Sequence, residues 1–400
     1  MLRILRTVPF FVPAYSYGGP VVHTYNISRI QASLGYDVRV FTSNILTHDI
    51  ISNTLPKYEE LENIKIHRFP IKYRLGESHY FIPPKLPFNF FKYDYDIIHS
   101  HSYRTFYTDV ATIISKIKKK PFVFTTHGTL RDMTLIDLSK DKVKEAKRMK
   151  LHDFMLHKFF INTVDRIIVH SDYEKIWTIR NNVPEEKIRV IPHGVNVEKF
   201  SNGIYRERFI KKYKVKNKIL LYVGRLLKNY RNLDYLILVM NDILKEYKNV
   251  KLWFVGHSFD KSYEKDLRKL IKKRNLTEHV RFITKPTRED IIGAYQAANI
   301  VVFPIRNSDS FGLPLLEAGA AKCPIISTNI GPAPELIING KTGFLTDINS
   351  LSQLKNNILK ILTDDELEKR MGLYGYEHIL NNYSWQIVTD KTNQVYQELL

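Results

Sequence analysis

The residues best suited to chemistry lie in one stretch, Ser308–Cys323, with the sequence S-D-S-F-G-L-P-L-L-E-A-G-A-A-K-C. The apolar run Ile300–Phe303 before it predicts a buried strand, and Phe311–Ala321 predicts the first turns of a helix. A strand, a glycine turn and a helix start aim backbone N–H groups and the positive end of the helix dipole at an anion. Asp309 stands before the turn at Gly312, and Glu317 follows roughly a turn and a half into the helix. A carboxylate beside bound phosphate would be repelled, so these acids are assigned to ribose or sugar hydroxyls, which donate to carboxylate oxygens. The plain alternative is a βα unit whose acids are solvated.

A second group follows the apolar run Ile219–Val223. Gly224 begins a turn that carries Arg225, Lys228 and Arg231 before Asn232-Leu233-Asp234. Three cations at the mouth of a strand suit a diphosphate, Arg offering a planar fork and Lys a point charge. Gly256-His257-Ser258 follows the next strand and would line the same edge. In the first half, Gly18-Gly19 precedes a predicted helix and allows close backbone approach to a ligand, although it is no full G-x-G-x-x-G fingerprint. His99-Ser100-His101 and Thr125-Thr126-His127-Gly128 each follow an apolar run, which places their imidazoles at strand ends. With no accompanying cysteine or i,i+4 histidine pair, a structural zinc site is rejected.

The elements that position these residues alternate. In the first half, strands are predicted at Leu2–Val8, Asp37–Thr42, Ile64–Phe69, Asp96–Ser100, Phe122–Thr125, Arg166–His170 and Arg189–Ile191. Helical patterns at Val21–Leu34, Thr108–Lys118, Leu151–Val164 and Tyr173–Asn181 separate them. The second half restarts with Ile219–Val223, Lys251–Val255, Val280–Ile283, Ile300–Phe303, Pro324–Ser327 and Gly343–Thr346. Near-continuous apolar strands between helices predict the α/β class, with parallel sheets covered on both faces and ligands at the strand carboxyl ends. Four hundred residues suggest two domains. Their expected extents are 1–200 and 201–383, with a basic hinge at Glu198–Lys218 and a terminal helix, 384–400, packing back on the first domain.

The totals exclude several classes. No apolar run reaches the ~20 residues that span a bilayer, and the N-terminus reads as a first strand, not a signal peptide. The single Cys323 reads as a core residue in a reducing cytoplasm. The net charge of +20 is clustered, with 12 Lys/Arg against 5 Asp/Glu in Lys116–Lys158 and 7 against 1 in Arg206–Lys218. Such a surface attracts anions. No recognition motif or stacking-aromatic array marks a specific nucleic-acid binder. Arg131–Lys150 reads as a mobile loop leading into a basic amphipathic helix, Lys147–Phe160. Its Met149, His152, Met155, Leu156 and Phe159 form either a core-facing stripe or a face for anionic membrane.

Taken together, G-G near the N-terminus, T-H-G, I-P-H-G-V-N, V-G-R-L and D-S-F-G-L-P-L-L-E-A resemble the retaining glycosyltransferases of family 4. The likeness runs from the first strand to the closing helix. It implies a GT-B fold, two Rossmann-like domains facing across a cleft, and transfer of a sugar from a nucleoside-diphosphate sugar to an acceptor that the sequence does not identify. The family's E-x7-E pattern falls on Asp309 and Glu317, the first acid on the donor sugar and the second on the ribose. By the same resemblance, Ser310, Phe311, Gly312 and Leu313 meet phosphates or sugar hydroxyls, and Arg225 neutralises the leaving diphosphate. Gly18 and Gly19 approach donor phosphate, and His127 lies near the reaction centre. No cofactor and no metal are implied. Two departures stand out: the first acid is Asp, one methylene shorter than Glu, and the motif's Lys is displaced, so that Arg231 or Lys228 takes its place. A GT-B epimerase or phosphorolytic enzyme is the neighbouring alternative, separated by whether the donor alone yields product.

Overall fold

The computed structural model describes residues 1–47, 49–75, 80–130, 143–228, 230–258, 260–307 and 311–400. The chain falls into two compact units, Met1–His193 with Trp385–Leu400, and Gly194–Ser384.

Among the described residues of the first unit, eight strands form one sheet. They are β1 (Arg3–Thr7), β2 (Asp37–Ser43), β3 (Tyr58–Leu61), β4 (Ile64–Phe69), β7 (Ile97–His101), β8 (Phe122–Thr125), β9 (Arg166–Val169) and β10 (Ile188–Val190), with β5 (Tyr73–Leu75) and β6 (Tyr80–Ile82) forming a separate hairpin. The order is β10-β9-β8-β7-β1-β2-β4-β3, parallel except for the edge pair β3–β4. Every residue of β7 and β8 is buried, as a parallel sheet covered on both faces requires. The helix Gly19–Ser33 starts at Gly18, with Pro20 in its first turn. Its buried face is partly polar because it lies against the buried Arg6, whose guanidinium donates to Ser28 Oγ (2.6 Å), Gln31 Oε1 (2.8 Å) and Tyr396 Oη (2.9 Å).

In the second unit, β11 (Lys218–Val223), β12 (Val250–Val255), β13 (Val280–Ile283), β14 (Ile300–Phe303), β15 (Ile325–Thr328) and β16 (Gly343–Thr346) form an all-parallel sheet in the order β13-β12-β11-β14-β15-β16. Capping sets the helix starts: Asp260 Oδ1 accepts from Tyr263 N, and Thr287 and Asp290 form a reciprocal capping box.

Three expectations are corrected. The segment Glu198–Lys218 is no hinge. It holds the helices Val197–Ser201 and Arg206–Tyr213, whose Phe200 and Phe209 are buried in the core of the second unit, and the units part at Gly194 rather than after residue 200. High charge disguised two apolar anchors. The expected loop Arg131–Lys150 is helical from Val143, where Ala, Lys, Glu, Arg and Met are strong helix formers; its residues 131–142 lie outside the described residues. The expected helix Lys147–Phe160 is three pieces, Val143–His152, a π-helical turn Asp153–His157, and Lys158–Thr163. The wider turn adds a residue and rotates the face, so Met155 and Phe159 are exposed while Phe160 and Ile161 enter the core.

Gly256 illustrates how tightly the strand ends of the second unit are drawn together. Its φ is 149°, and a Cβ there would lie 2.1 Å from the Gly224 carbonyl oxygen, a backbone atom that cannot step aside. Gly256→Ala is expected to lower stability by at least ~2 kcal/mol, read as a fall in the urea midpoint at unchanged slope. An unchanged midpoint would show that the two turns separate easily.

Candidate active site

The two motifs of the second unit emerge from adjacent strands. Leu221 pairs with Val301 in the parallel β11–β14 register, which sets Val223 level with Phe303 and brings both turns to the same carboxyl edge. The turn after β11 is pinned there: Leu226 N donates to His257 O (3.3 Å), Asn232 N to Pro304 O (3.0 Å) and Arg306 N to Tyr230 O (3.0 Å). Arg225 and Lys228 are exposed. Arg231 is buried, with its guanidinium 4.5 Å from the Phe303 ring centroid and its backbone bridged to Ile305. The structure therefore separates the competing cations, Lys228 exposed and Arg231 buried over an aromatic ring.

After β14, Phe311 and Gly312 are buried, and Gly312 caps the helix Leu313–Ala320 in the left-handed region at φ 84°. Leu313 is half-buried. Asp309 and Ser310 lie outside the described residues. Glu317 is mostly buried and accepts from Arg288 Nη2 at 2.8 Å. Burial and the Glu317 charge push the Tyr295 phenol above its ordinary range.

In the first unit the structure assembles what the sequence left scattered. His101 ends β7, His127 follows β8, His170 follows β9, His193 follows β10, and His23 lies on the helix after Gly18-Gly19. The His23 ring centroid is 5.1 Å from His127, 4.8 Å from His170 and 4.9 Å from His193. His193 Nε2 lies 3.1 Å from Gly19 O and so donates to the glycine loop. His127 is joined on both sides, Nε2 to His101 Nδ1 (3.0 Å) and Nδ1 to His170 Nε2 (3.0 Å), while His170 Nδ1 meets Ile191 O (3.0 Å). Trp385, from the terminal helix Trp385–Gln397, packs 5.1 Å from His193. Among the described residues no group of three or more His, Cys, Asp or Glu could hold a metal ion. The ring nitrogens face one another and do not converge on a point.

Sequence reasoning singled out His127 but missed His23, His170, His193 and Glu174. Glu174 is buried and accepts from Thr126 Oγ1 (2.6 Å), Gly128 N (2.5 Å) and His170 N (2.7 Å). The available signal was a histidine recurring just past four successive strands.

Two Rossmann-like units with their chemistry at strand carboxyl ends define a GT-B architecture. Residues 204–378 match the family of group 1 glycosyl transferases, and residues 17–199 match glycosyltransferase family 4. The chain belongs to the group 1 glycosyltransferases of family 4. It is 29% identical over 313 residues to a D-inositol 3-phosphate glycosyltransferase of Corynebacterium jeikeium, covering 76% of this chain and 73% of that protein. It is 25% identical over 416 residues to an uncharacterised glycosyltransferase of Methanocaldococcus jannaschii, covering 100% of this chain and 99% of that one. Among solved structures, Anabaena HepE in complex with UDP and glucose superposes with a TM-score of 0.76 at 18% identity, covering 100% of both chains.

The histidine cluster fixes a pH response. Burial first, then neighbouring imidazoles, pull His23, His101 and His127 well below the usual histidine range, and burial takes His170 down to about 4. The unfolded chain, with ordinary pKa near ~6.5, then binds more protons than the folded one, so stability falls as pH drops below about 6.5. Each such imidazole contributes up to ~1.4 kcal/mol per pH unit. Urea unfolding at pH 7.5, 6.5 and 5.5 is expected to show a progressive loss that sets in before most carboxylates titrate. A flat response across that range would contradict neutral burial.

Proposed function

We propose that this glycosyltransferase moves a hexose from a nucleoside-diphosphate sugar to an acceptor hydroxyl, with retention at the anomeric carbon and without a metal ion. The observation that carries the reading is the shared carboxyl edge of β11 and β14, where the Arg225 turn and the Gly312 helix start lie at adjacent strand ends. HepE, solved with UDP and glucose, supports the donor class. The diphosphate binds the second unit. Arg225 and Arg231 meet its charge, backbone N–H groups at Phe311–Leu313 cradle it, Glu317 takes the ribose hydroxyls, and Asp309 with Ser310 takes the sugar.

In the reaction the anomeric C–O bond to diphosphate breaks while the acceptor oxygen bonds to the same face. The acceptor proton passes to the departing phosphate oxygen. Charge builds on the diphosphate, so donors aimed at it lower the barrier. Arg231 is the better second cation because its guanidinium is already immobilised on Phe303, so little rotamer entropy remains to be lost. The acceptor binds mainly the first unit, where His127 follows β8 near the reaction centre, while Gly18 and Gly19, at the start of the helix Gly19–Ser33, approach donor phosphate.

Arg225→Ala is expected to lower kcat/KM by about 100-fold, Arg231→Ala more than Lys228→Ala, and EDTA is expected to leave the rate unchanged. Strict metal dependence would overturn the clamp, and a β-configured product from an α-donor would overturn retention.

The enzyme acts in the cytoplasm at an anionic membrane surface, reached through Lys147–Phe160, in the synthesis of a cell-surface glycan. The exposures support this: Phe154 is 88% exposed and Met155 60%, flanked by exposed Lys147, Lys150 and Lys158. No helix among the described residues is long and apolar enough to cross a membrane. Flotation with anionic but not neutral liposomes is expected, and Phe154→Ser should weaken it. Equal recovery with both lipids, or no flotation, would remove the membrane from the reading.

A further inference from the structure

The hydrogen bonds around His127 have a direction that the chemistry of their ends dictates. A backbone carbonyl only accepts, so His170 Nδ1 must carry the hydrogen it shares with Ile191 O (3.0 Å). His170 is neutral at physiological pH, so its Nε2 holds a lone pair and must accept from His127 Nδ1–H (3.0 Å). His127 Nε2 is then itself a lone pair and accepts from His101 Nδ1–H (3.0 Å). The relay ends at His101 Nε2, which is buried with no hydrogen-bond partner among the described residues. With His170 neutral, donor and acceptor logic thereby assigns three rings to one tautomer.

The backbone of the same turn is held separately. His127 has φ 49° and Gly128 φ 74°, consecutive left-handed residues that need an external restraint, since a non-glycine residue reaches that region at a cost. Glu174 supplies the restraint. One carboxylate oxygen accepts from Thr126 Oγ1 and Gly128 N, on either side of His127, and the other from His170 N. Glu174 lies in the first turn of the helix Asp172–Arg180, whose cap is fixed by Ser171 Oγ accepting from Glu174 N (3.0 Å). A single carboxylate therefore sets the T-H-G backbone and the His170 backbone relative to each other, which is what the ring-to-ring bond needs.

We propose that His170 and Glu174 are positioning residues for His127: Glu174 locks the turn on which His127 sits, and the His170 ring selects the Nδ1–H tautomer and the rotamer of its imidazole. This rests on the reading of His127 as a residue of the reaction centre. Neither residue touches substrate. A wrong tautomer presents a hydrogen where a lone pair belongs, or the reverse, and in catalytic imidazoles that costs rate without abolishing binding.

The test uses full-length enzyme with 15N-labelled histidine and steady-state transfer kinetics. In the unmodified protein His101, His127 and His170 are expected as neutral Nδ1–H tautomers at pH 7. His170→Gln, whose side-chain oxygen can accept in place of Nε2, should keep that His127 signature and stay within about threefold of the parent kcat. His170→Leu, which cannot accept, should lose the signature and lower kcat by about tenfold or more with donor KM little changed. Glu174→Gln, which sets an amide N–H against a backbone donor, should speed hydrogen exchange at Gly128. The proposal is overturned if His127 is an Nε2–H tautomer in the parent, or if His170→Leu leaves its tautomer unaltered. His127→Ala separates the two readings: parent-like kcat there would end the role of His127 in the reaction, while the spectra still decide whether His170 orients it.

Discussion

Six imidazoles, those of His23, His99, His101, His127, His170 and His193, are packed at one edge of a parallel sheet and join its strand ends. Burial is the first cause that pulls His23, His99, His101, His127 and His170 below the usual histidine range. For His99 the charge of buried Arg6 is the second. Arg6 is itself held by the neutral acceptors Ser28, Gln31 and Tyr396 and so keeps its full field toward the rings. A neutral imidazole is at once a donor and an acceptor. The strand ends are therefore linked by directional bonds, which fix orientation, where ion pairs would tolerate wide angles. The C-terminal helix belongs to this arrangement through Trp385 against His193 and Tyr396 Oη against His99 Nδ1 (2.5 Å).

The second unit solves the opposite problem. Its strand-end turn keeps Arg225 and Lys228 exposed, and backbone hydrogen bonds fix the turn that carries them. A buried cation awaiting a diphosphate would have to be desolvated in advance, at several kcal/mol, whereas an exposed one loses water only when the anion arrives to compensate. Arg231 is the intermediate case, buried but stacked on Phe303. The same sheet logic thus yields a neutral, directional edge in one unit and a cationic, adaptable one in the other.

The strands were legible because parallel pairing buries both faces and leaves runs such as Ile97–Ile98, Phe122–Phe124 and Ile300–Phe303. The edge strand Tyr58–Leu61 was not, because it pairs on one side only and reads Y-E-E-L, with little to bury. Motifs confined to one turn, around Arg225 and Gly312, were visible as spacing. The histidine cluster was not, since its members are joined by the crossover helices and meet only when the strands align. Glu174 was hidden for the same reason: it looks like an ordinary first-turn acid of a helix, and only the fold brings Thr126 and Gly128 to it. The domain boundary failed on charge, which marks solvent but cannot reveal that Phe200 and Phe209 point inward.

The contrast between the two edges bears on why a sugar could be transferred without being hydrolysed. Under the proposed reaction the leaving group needs positive charge and the incoming hydroxyl needs only orientation. An acceptor edge lined with cations would hold water and lower the selectivity for an alcohol over it, because charged groups are the most strongly hydrated. Imidazoles kept neutral by burial give the edge polar contacts without a charged hydration shell. The cost is structural: buried neutral rings need partners for their lone pairs, and the chain from Ile191 O through His170 and His127 to His101 supplies them for His170 and His127 while leaving His101 Nε2 without one among the described residues. Positioning and stability are then the same bonds, so a change that frees His127 should loosen the sheet edge as well.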